Sequence, residues 1–232
     1  MGIGHVLNEL LTEDKRFIHI DVGFGPEGFF DINKSVVISF GVVVFFFLFC
    51  LFLTTGMKTH NIGRRQLVAE MLVTGLRNLI GGTLGHNAGQ YTDLLVSVLL
   101  FILGCNMVGL FGYVPPTMDL NVTIALAAFA IVLIEFAAIR YHGILKFPLT
   151  FTRPTPIITP LNVLELGIRP LALCMRLFGN ILGATVIMEL LKHVIPVGVP
   201  ALASIYFDLF DGCIQAYVFV FLTSLFIAEA TE

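Results

Sequence analysis

The stretch Ser35–Thr55, SVVISFGVVVFFFLFCLFLTT, runs for 21 residues without a charged side chain. A hydrocarbon core about 30 Å thick is crossed by about 20 helical residues, so this run alone can span a bilayer. The whole chain agrees with it. Of its 232 residues 57% are hydrophobic and only 12% charged, with a mean hydropathy of +0.94. Soluble domains carry about 25% charged residues. Inside lipid every backbone polar group must be paired within the segment, which favours helices. An all-α membrane protein is expected.

Working outward from that run, Met57–Gln90 carries Lys58, His60, Arg64, Arg65, Arg77 and His86 among apolar positions. It is too polar to span. Leu67, Met71, Leu72, Leu76, Leu79 and Ile80 fall near helical spacing, which predicts an interfacial amphipathic helix. Thr92–Gly112 is a second span, closed by the turn Tyr113-Val114-Pro115-Pro116. Asn121–Ile139 is a third and holds Glu135. After a Pro- and cation-rich loop, Arg140–Pro160, come Leu161–Leu191 and Ala201–Ala228, joined near Pro196–Pro200. Each exceeds what an upright helix needs, which predicts a long tilted helical hairpin over 161–228. The expected architecture is one upright N-terminal transmembrane helix, the interfacial helix, two further spans and that hairpin. Residues 1–34, without a cleavable-signal pattern, read as an extracytoplasmic segment, and 35–232 as one membrane domain.

Lys58, Arg64, Arg65 and Arg77 stand between the first two spans, and Arg140, Lys146 and Arg153 in the later loop; Tyr113–Leu120 has no Lys or Arg. Cation-rich loops stay cytoplasmic, so the N-terminus is expected outside and the C-terminus in the cytoplasm. Lys15, Arg16 and Lys34 weaken that asymmetry without reversing it. The formal net charge of −3 offers no footprint for nucleic acid. Cys50, Cys105, Cys174 and Cys213 lie far apart in apolar runs and read as small packing residues. Histidines 5, 19, 60 and 142 lack ligand spacing, and no GxxxxGK[ST] loop is present. Neither a metal nor a cofactor is called for.

Ionisable residues at membrane depth cost about 2.5–3.5 kcal/mol each on insertion scales and need a partner or a purpose. The polar load concentrates late in the chain: Glu165, Arg169, Arg176, Asn180 and Glu189 on the fourth span, Asp208, Asp211 and Gln215 on the fifth. At helical spacing Ala172, Arg176 and Asn180 form one row, flanked by Gly179, Gly183 and Ala184. Small residues there let another helix approach closely. Asp208, Asp211, Gln215, Phe219 and Leu222 follow one helical face toward the arginine helix or a water-filled cleft. A guanidinium stays protonated at any attainable pH. Two readings of Arg176 follow: a staple pairing with Glu165 or an acid of the next helix, or a fixed charge that attracts a carboxylate and blocks direct proton passage. Glu135 reads as snorkelling beside Arg140, Arg169-Pro170 as a kink or interface marker, and Glu189 as either a helix-end partner of Lys192 and His193 or part of an ion path.

The segment Met175-Arg176-Leu177-Phe178-Gly179-Asn180 resembles the signature of the F-type ATP synthase a subunit, bacterial type. Further ordered matches are Arg169-Pro170-Leu171, Asn106-x-x-Gly109-Leu110, Pro116-Thr117-x-Asp119-x-Asn121-x-Thr123 and Gln215-Ala216-Tyr217-Val218-Phe219, together covering about Val36 to the C-terminus. The resemblance implies that Arg176 faces the ion-binding carboxylate of a rotating c-ring, with Asn180 and Gln215 lining two offset aqueous half-channels. It implies as partners the c-ring, b-type peripheral-stalk subunits and the remainder of the synthase. Three positions depart from the family's commonest pattern. Thr185 stands where many members carry Glu or His, Asp208 where many carry His or Glu, and Glu165 about a turn nearer the arginine than usual. These departures leave both H+ and Na+ open as the transported ion. A stand-alone channel or secondary transporter is the alternative, and would need its own site at a repeat interface.

Overall fold

The computed structural model describes residues 33–55, 64–84, 89–111, 113–143, 159–194 and 198–231. Among these residues there are helices and short turns and no strand. Most of the expected extracytoplasmic segment 1–34 and of the loop Arg140–Pro160 lies outside them, whereas most of Met57–Gln90 is described. Among the described residues five helical stretches are long and apolar enough to cross a membrane: Lys34–Thr54, Gly89–Phe111, Leu120–Tyr141, Gly167–His193 and Leu202–Ala230.

Helix α1, Lys34–Thr54, begins where the Asn33 side chain accepts a hydrogen bond from the Ser35 N–H. Asn33 also donates to the Asp119 carboxylate. That bond puts the start of α1 on the same side of the bundle as the turn between the second and third spans. Helix α2 is Arg64–Leu84 and α3 is Thr92–Met107, each end of α3 extended by a short 3₁₀ turn. Helix α4, Leu120–His142, is capped by Asp119, which accepts from the Asn121 N–H at 3.0 Å. It stops at Gly143, whose φ of 79° lies in the left-handed region that favours glycine. Helix α5 is Thr159–Val194, 36 residues continuous through Pro170. Helices α6, Val199–Ser204, and α7, Gly212–Ala230, are separated by a π-helical turn, Ile205–Asp211.

Helix α7 is the hub, packing against α2, α3, α4 and α5. Leu95 and Ile102 of α3, Ile134 of α4, Leu173 and Leu177 of α5, and Phe219 of α7 are essentially fully buried between them. Helix α1 leans on the outside of this bundle. Its Phe40, Phe45, Phe47 and Phe52 are each at least 60% exposed, a large apolar patch that water would oppose. Contact with α3 is close at Gly104, where a β-carbon would overlap the Phe46 ring and come within 2.8 Å of Val42 Cγ1.

Helix α2 buries Ala69, Ile80 and Leu84, and its Arg77 Nε pairs with Asp93 of α3 at 2.6 Å. The hydrogen bond and charge of Asp93 raise the Arg77 pKa above its ordinary value. Leu67, Met71, Leu72 and Leu79 of its apolar stripe are exposed. Two sequence expectations need correction. The last span is not one regular helix but carries the π turn. Of the four cysteines, Cys105 and Cys174 are buried, but Cys50 is exposed and is not a packing residue.

Candidate functional site

The π turn builds the polar site. In a π turn the N–H reaches back five residues instead of four, often at functional positions; here the Gly212 N–H reaches the Phe207 carbonyl. The Gly212 carbonyl in turn accepts from Asn106 Nδ2 of α3 at 3.0 Å, and Thr117 Oγ1 donates to Asn106 Oδ1 at 2.8 Å. Both ends of the Asn106 amide are therefore occupied. A β-carbon at Gly212 would come within 3.1 Å of Asn106 Cβ, so any larger residue there would have to push Asn106 back by a few tenths of an ångström.

Beside this turn lies a cavity of about 410 Å³ between α3, α5 and the last helical stretch. Asn180, Thr185, Asp208, Asp211 and Gln215 all line it. Ser204 Oγ donates to Asp208 Oδ2 at 2.6 Å, and Asn180 Nδ2 donates to Asp211 Oδ2 at 2.7 Å. Each carboxylate has one neutral donor. The Thr185 hydroxyl donates to the Ile181 carbonyl of its own helix at 2.9 Å. Gln215 is 5% exposed, and its Nε2 is buried with no hydrogen-bond partner among the described residues. Such a group calls for a water, ion or incoming acceptor.

Arg176 does not line this cavity. It lies one helical turn beyond Asn180 on α5, about 6 Å along the axis. The guanidinium is exposed and makes no ion pair or hydrogen bond among the described residues. Ala172, Met175 and Gly179 are exposed with it, whereas Leu173, Cys174 and Leu177 face the bundle. Of the row read from the sequence and its flanking small residues, Ala172, Arg176 and Gly179 form an open face, whereas Asn180 and Ala184 line the cavity. A β-carbon at Gly179 or Gly183 would meet nothing within 4 Å.

The remaining candidates fall elsewhere. Glu165 does not pair with Arg176; it accepts from Arg169 Nη2 at 2.9 Å. That removes one form of the staple reading. Arg169 also pairs with Glu229 of α7 at 3.0 Å, so it does more than mark a kink. Glu135 makes no ion pair with Arg140 among the described residues. Glu189 lies outside the cavity lining and pairs with Lys192 at 3.4 Å, and Lys192 does border the cavity. Lys192 and the two aspartates thus line the same cavity. Ser204, Lys192 and Glu229 were the site residues that spacing did not reveal.

A model of the ATP synthase A chain family matches residues 36–228. The chain belongs to this family. It is 32% identical over 217 residues to ATP synthase subunit a 1 of Chlorobaculum parvum, covering 91% of this chain and 94% of that one. It is 33% identical over 196 residues to ATP synthase subunit a of Moorella thermoacetica, covering 84% and 89%. With ATP synthase subunit a of Nitrosospira multiformis the identity is 30% over 218 residues, covering 90% and 84%. As a member of the family, the chain is a multi-pass component of the membrane sector of an ATP synthase. It works in a complex with other synthase subunits and is not an enzyme by itself.

Proposed function

We propose that this chain is the fixed element of ion translocation, forming two aqueous half-channels against a rotating c-ring and so coupling ion flow to ATP synthesis or hydrolysis. The observation that carries the reading is Arg176: an exposed permanent cation, without a partner among the described residues, one turn from Asn180 in the lining of a polar cavity. An uncompensated charge at membrane depth is costly. A carboxylate presented by a neighbouring ring relieves that cost each time it passes.

On this reading an ion, H+ or Na+, enters the cavity past Lys192 and Thr185. It moves along Asp208 and Asp211 and reaches Asn180 and Gln215. There it neutralises a c-ring carboxylate, which can then leave the arginine and turn into the lipid. Arg176 stops ions crossing directly, because a guanidinium cannot give up its proton. The second half-channel opens from the opposite side, toward Glu165. Each elementary charge crossing 100 mV releases about 2.3 kcal/mol. The cavity side is extracytoplasmic, with the N-terminus, and the cation-rich side with the C-terminus is cytoplasmic. Helix α2 lies in the cytoplasmic interface, and b-type stalk subunits hold the chain against the ring's torque.

Arg176→Ala should abolish both ATP-driven ion pumping and ion-driven ATP synthesis in a complex that still assembles. Coupled synthesis at the unmodified rate by the assembled variant would sink the reading. Ion flux through the chain reconstituted alone would favour a stand-alone channel instead.

A further inference from the structure

Arg169 stands seven residues before Arg176 on α5, nearly two helical turns, so the two project from nearly the same side. Their surroundings are opposite. The Arg169 side chain is 17% exposed. Its Nη2 lies 2.9 Å from Glu165 Oε1 and 3.0 Å from Glu229 Oε2, and its guanidinium sits 4.7 Å from the Phe226 ring centre. Phe226 and Glu229 are one turn apart on α7. Charge and ring contact together therefore tie α5 to the last turn of the hub helix.

The tie sits at the weakest point of α5. Pro170 has no N–H to return to the Leu166 carbonyl, and its ring crowds that carbonyl. The helix bends most easily there. A second tie, Asn180 to Asp211 at the end of the π turn that leads into α7, lies on the far side of Arg176, so the open arginine is bracketed by two connections to the last helical stretch. Pro170 and Arg176 are about 9 Å apart along the axis, and a swing of about 10° at the proline moves Arg176 by about 1.5 Å. Displacements of about 1 Å can cost about a hundredfold where a reaction depends on geometry.

We propose that Arg169 is a positioning residue for Arg176: by clamping Glu165 and Glu229 across the proline break, it fixes where Arg176 meets the passing carboxylate. This rests on the reading of Arg176 given above. An ordinary structural ion pair would instead affect only how much complex assembles.

The test uses membranes carrying the whole synthase, with Arg169→Gln, Arg169→Lys, Glu229→Gln and Arg176→Ala compared per assembled complex. Arg169→Gln should lower ion-driven ATP synthesis about tenfold or more while leaving the amount of complex unchanged. Arg169→Lys should restore most of the rate, and Glu229→Gln should fall between. Glu229→Gln should add little to Arg169→Gln, since both break one clamp. Normal synthesis per complex in Arg169→Gln, or losses that only follow assembly, would overturn the proposal. If Arg169→Gln does not assemble, Arg169→Lys and Glu229→Gln decide it, and normal rates in both overturn it. Retained coupling in Arg176→Ala would instead overturn the reading of the site itself. Coupling lost in Arg176→Ala but kept in Arg169→Gln overturns the positioning role alone.

Discussion

Arg169 and Arg176 are carried by one helix and obey the same electrostatics, yet Arg169 is enclosed by two glutamates and a phenylalanine ring, whereas Arg176 is exposed and unpaired among the described residues. Taking a charge out of water costs several kcal/mol unless good geometry repays it. At Arg169 the repayment lies within the chain, and the residue is part of the architecture. At Arg176 the described residues supply none. The cavity follows a related rule. Asp208 and Asp211 each hold one neutral donor, and Lys192 borders the same space. Their carboxylates are oriented without being locked in direct ion pairs.

That contrast can be broken in several ways. The largest effect after loss of Arg176 itself should come from Asp208→Asn combined with Asp211→Asn, which removes both carboxylates from the cavity. Coupled ion flux should drop about tenfold or more, with smaller losses in each single variant. Cysteines at both positions should react with aqueous silver ion. Normal flux in all three variants together with inaccessible cysteines would make the acids structural and move the entry path toward Glu189 and Asp119.

A smaller effect is expected from crowding. At Gly109 a β-carbon would stand 3.1 Å from Asp208 Oδ1. Gly109→Ala should therefore slow flux a few-fold per assembled complex. Gly104→Ala, where the obstacle is the Phe46 ring of α1, should reduce assembly and leave the rate per complex unchanged. If both lower assembly alike, Asp208 tolerates the displacement and its orientation is unimportant.

Smaller still is the expected consequence of Thr117→Val. It leaves the buried Asn106 Oδ1 without its donor, at a cost of about 1–3 kcal/mol. The thermal midpoint of the purified complex should fall while coupling persists. An unchanged midpoint would mean that Asn106 finds another partner. Orientation is tested by an impermeant thiol reagent on right-side-out vesicles, which should label Tyr113→Cys and spare Arg140→Cys. Both positions are exposed, whereas Thr117 is buried and would be silent on either side.

The apolar spans were legible because hydropathy over about 20 residues is a bulk property, and the arginine face was legible because helical spacing alone sets which side chains share a row. Ala172, Arg176 and the flanking Gly179 share the exposed side of α5, while Asn180, read into the same row, borders the cavity. What spacing could not supply was the choice among distant partners. Glu165 was available to either arginine, and the acid decisive for Arg169 was Glu229 at the far end of the chain. The π turn was also hidden, since the apolar run Ala201–Ala228 carries no mark of the shifted hydrogen bonding over Ile205–Asp211. Lys192 escaped as a cavity neighbour because it belongs to the last turn of α5, and only the folded hairpin brings that turn beside Asp208.

The central claim, that the Arg176 face of α5 is the surface met by the ring, is tested most directly by disulfide trapping in the assembled synthase. Cysteines at Ala172 and Gly179, both on the exposed side, would each be paired with a cysteine beside the ion-binding carboxylate of the c subunit. Leu173 and Leu177, buried against the bundle, would serve as the opposite face. Cross-links from 172 and 179 but not from 173 and 177 are predicted. Cross-links confined to 173 and 177, or none from any of the four in a fully coupled complex, would contradict it.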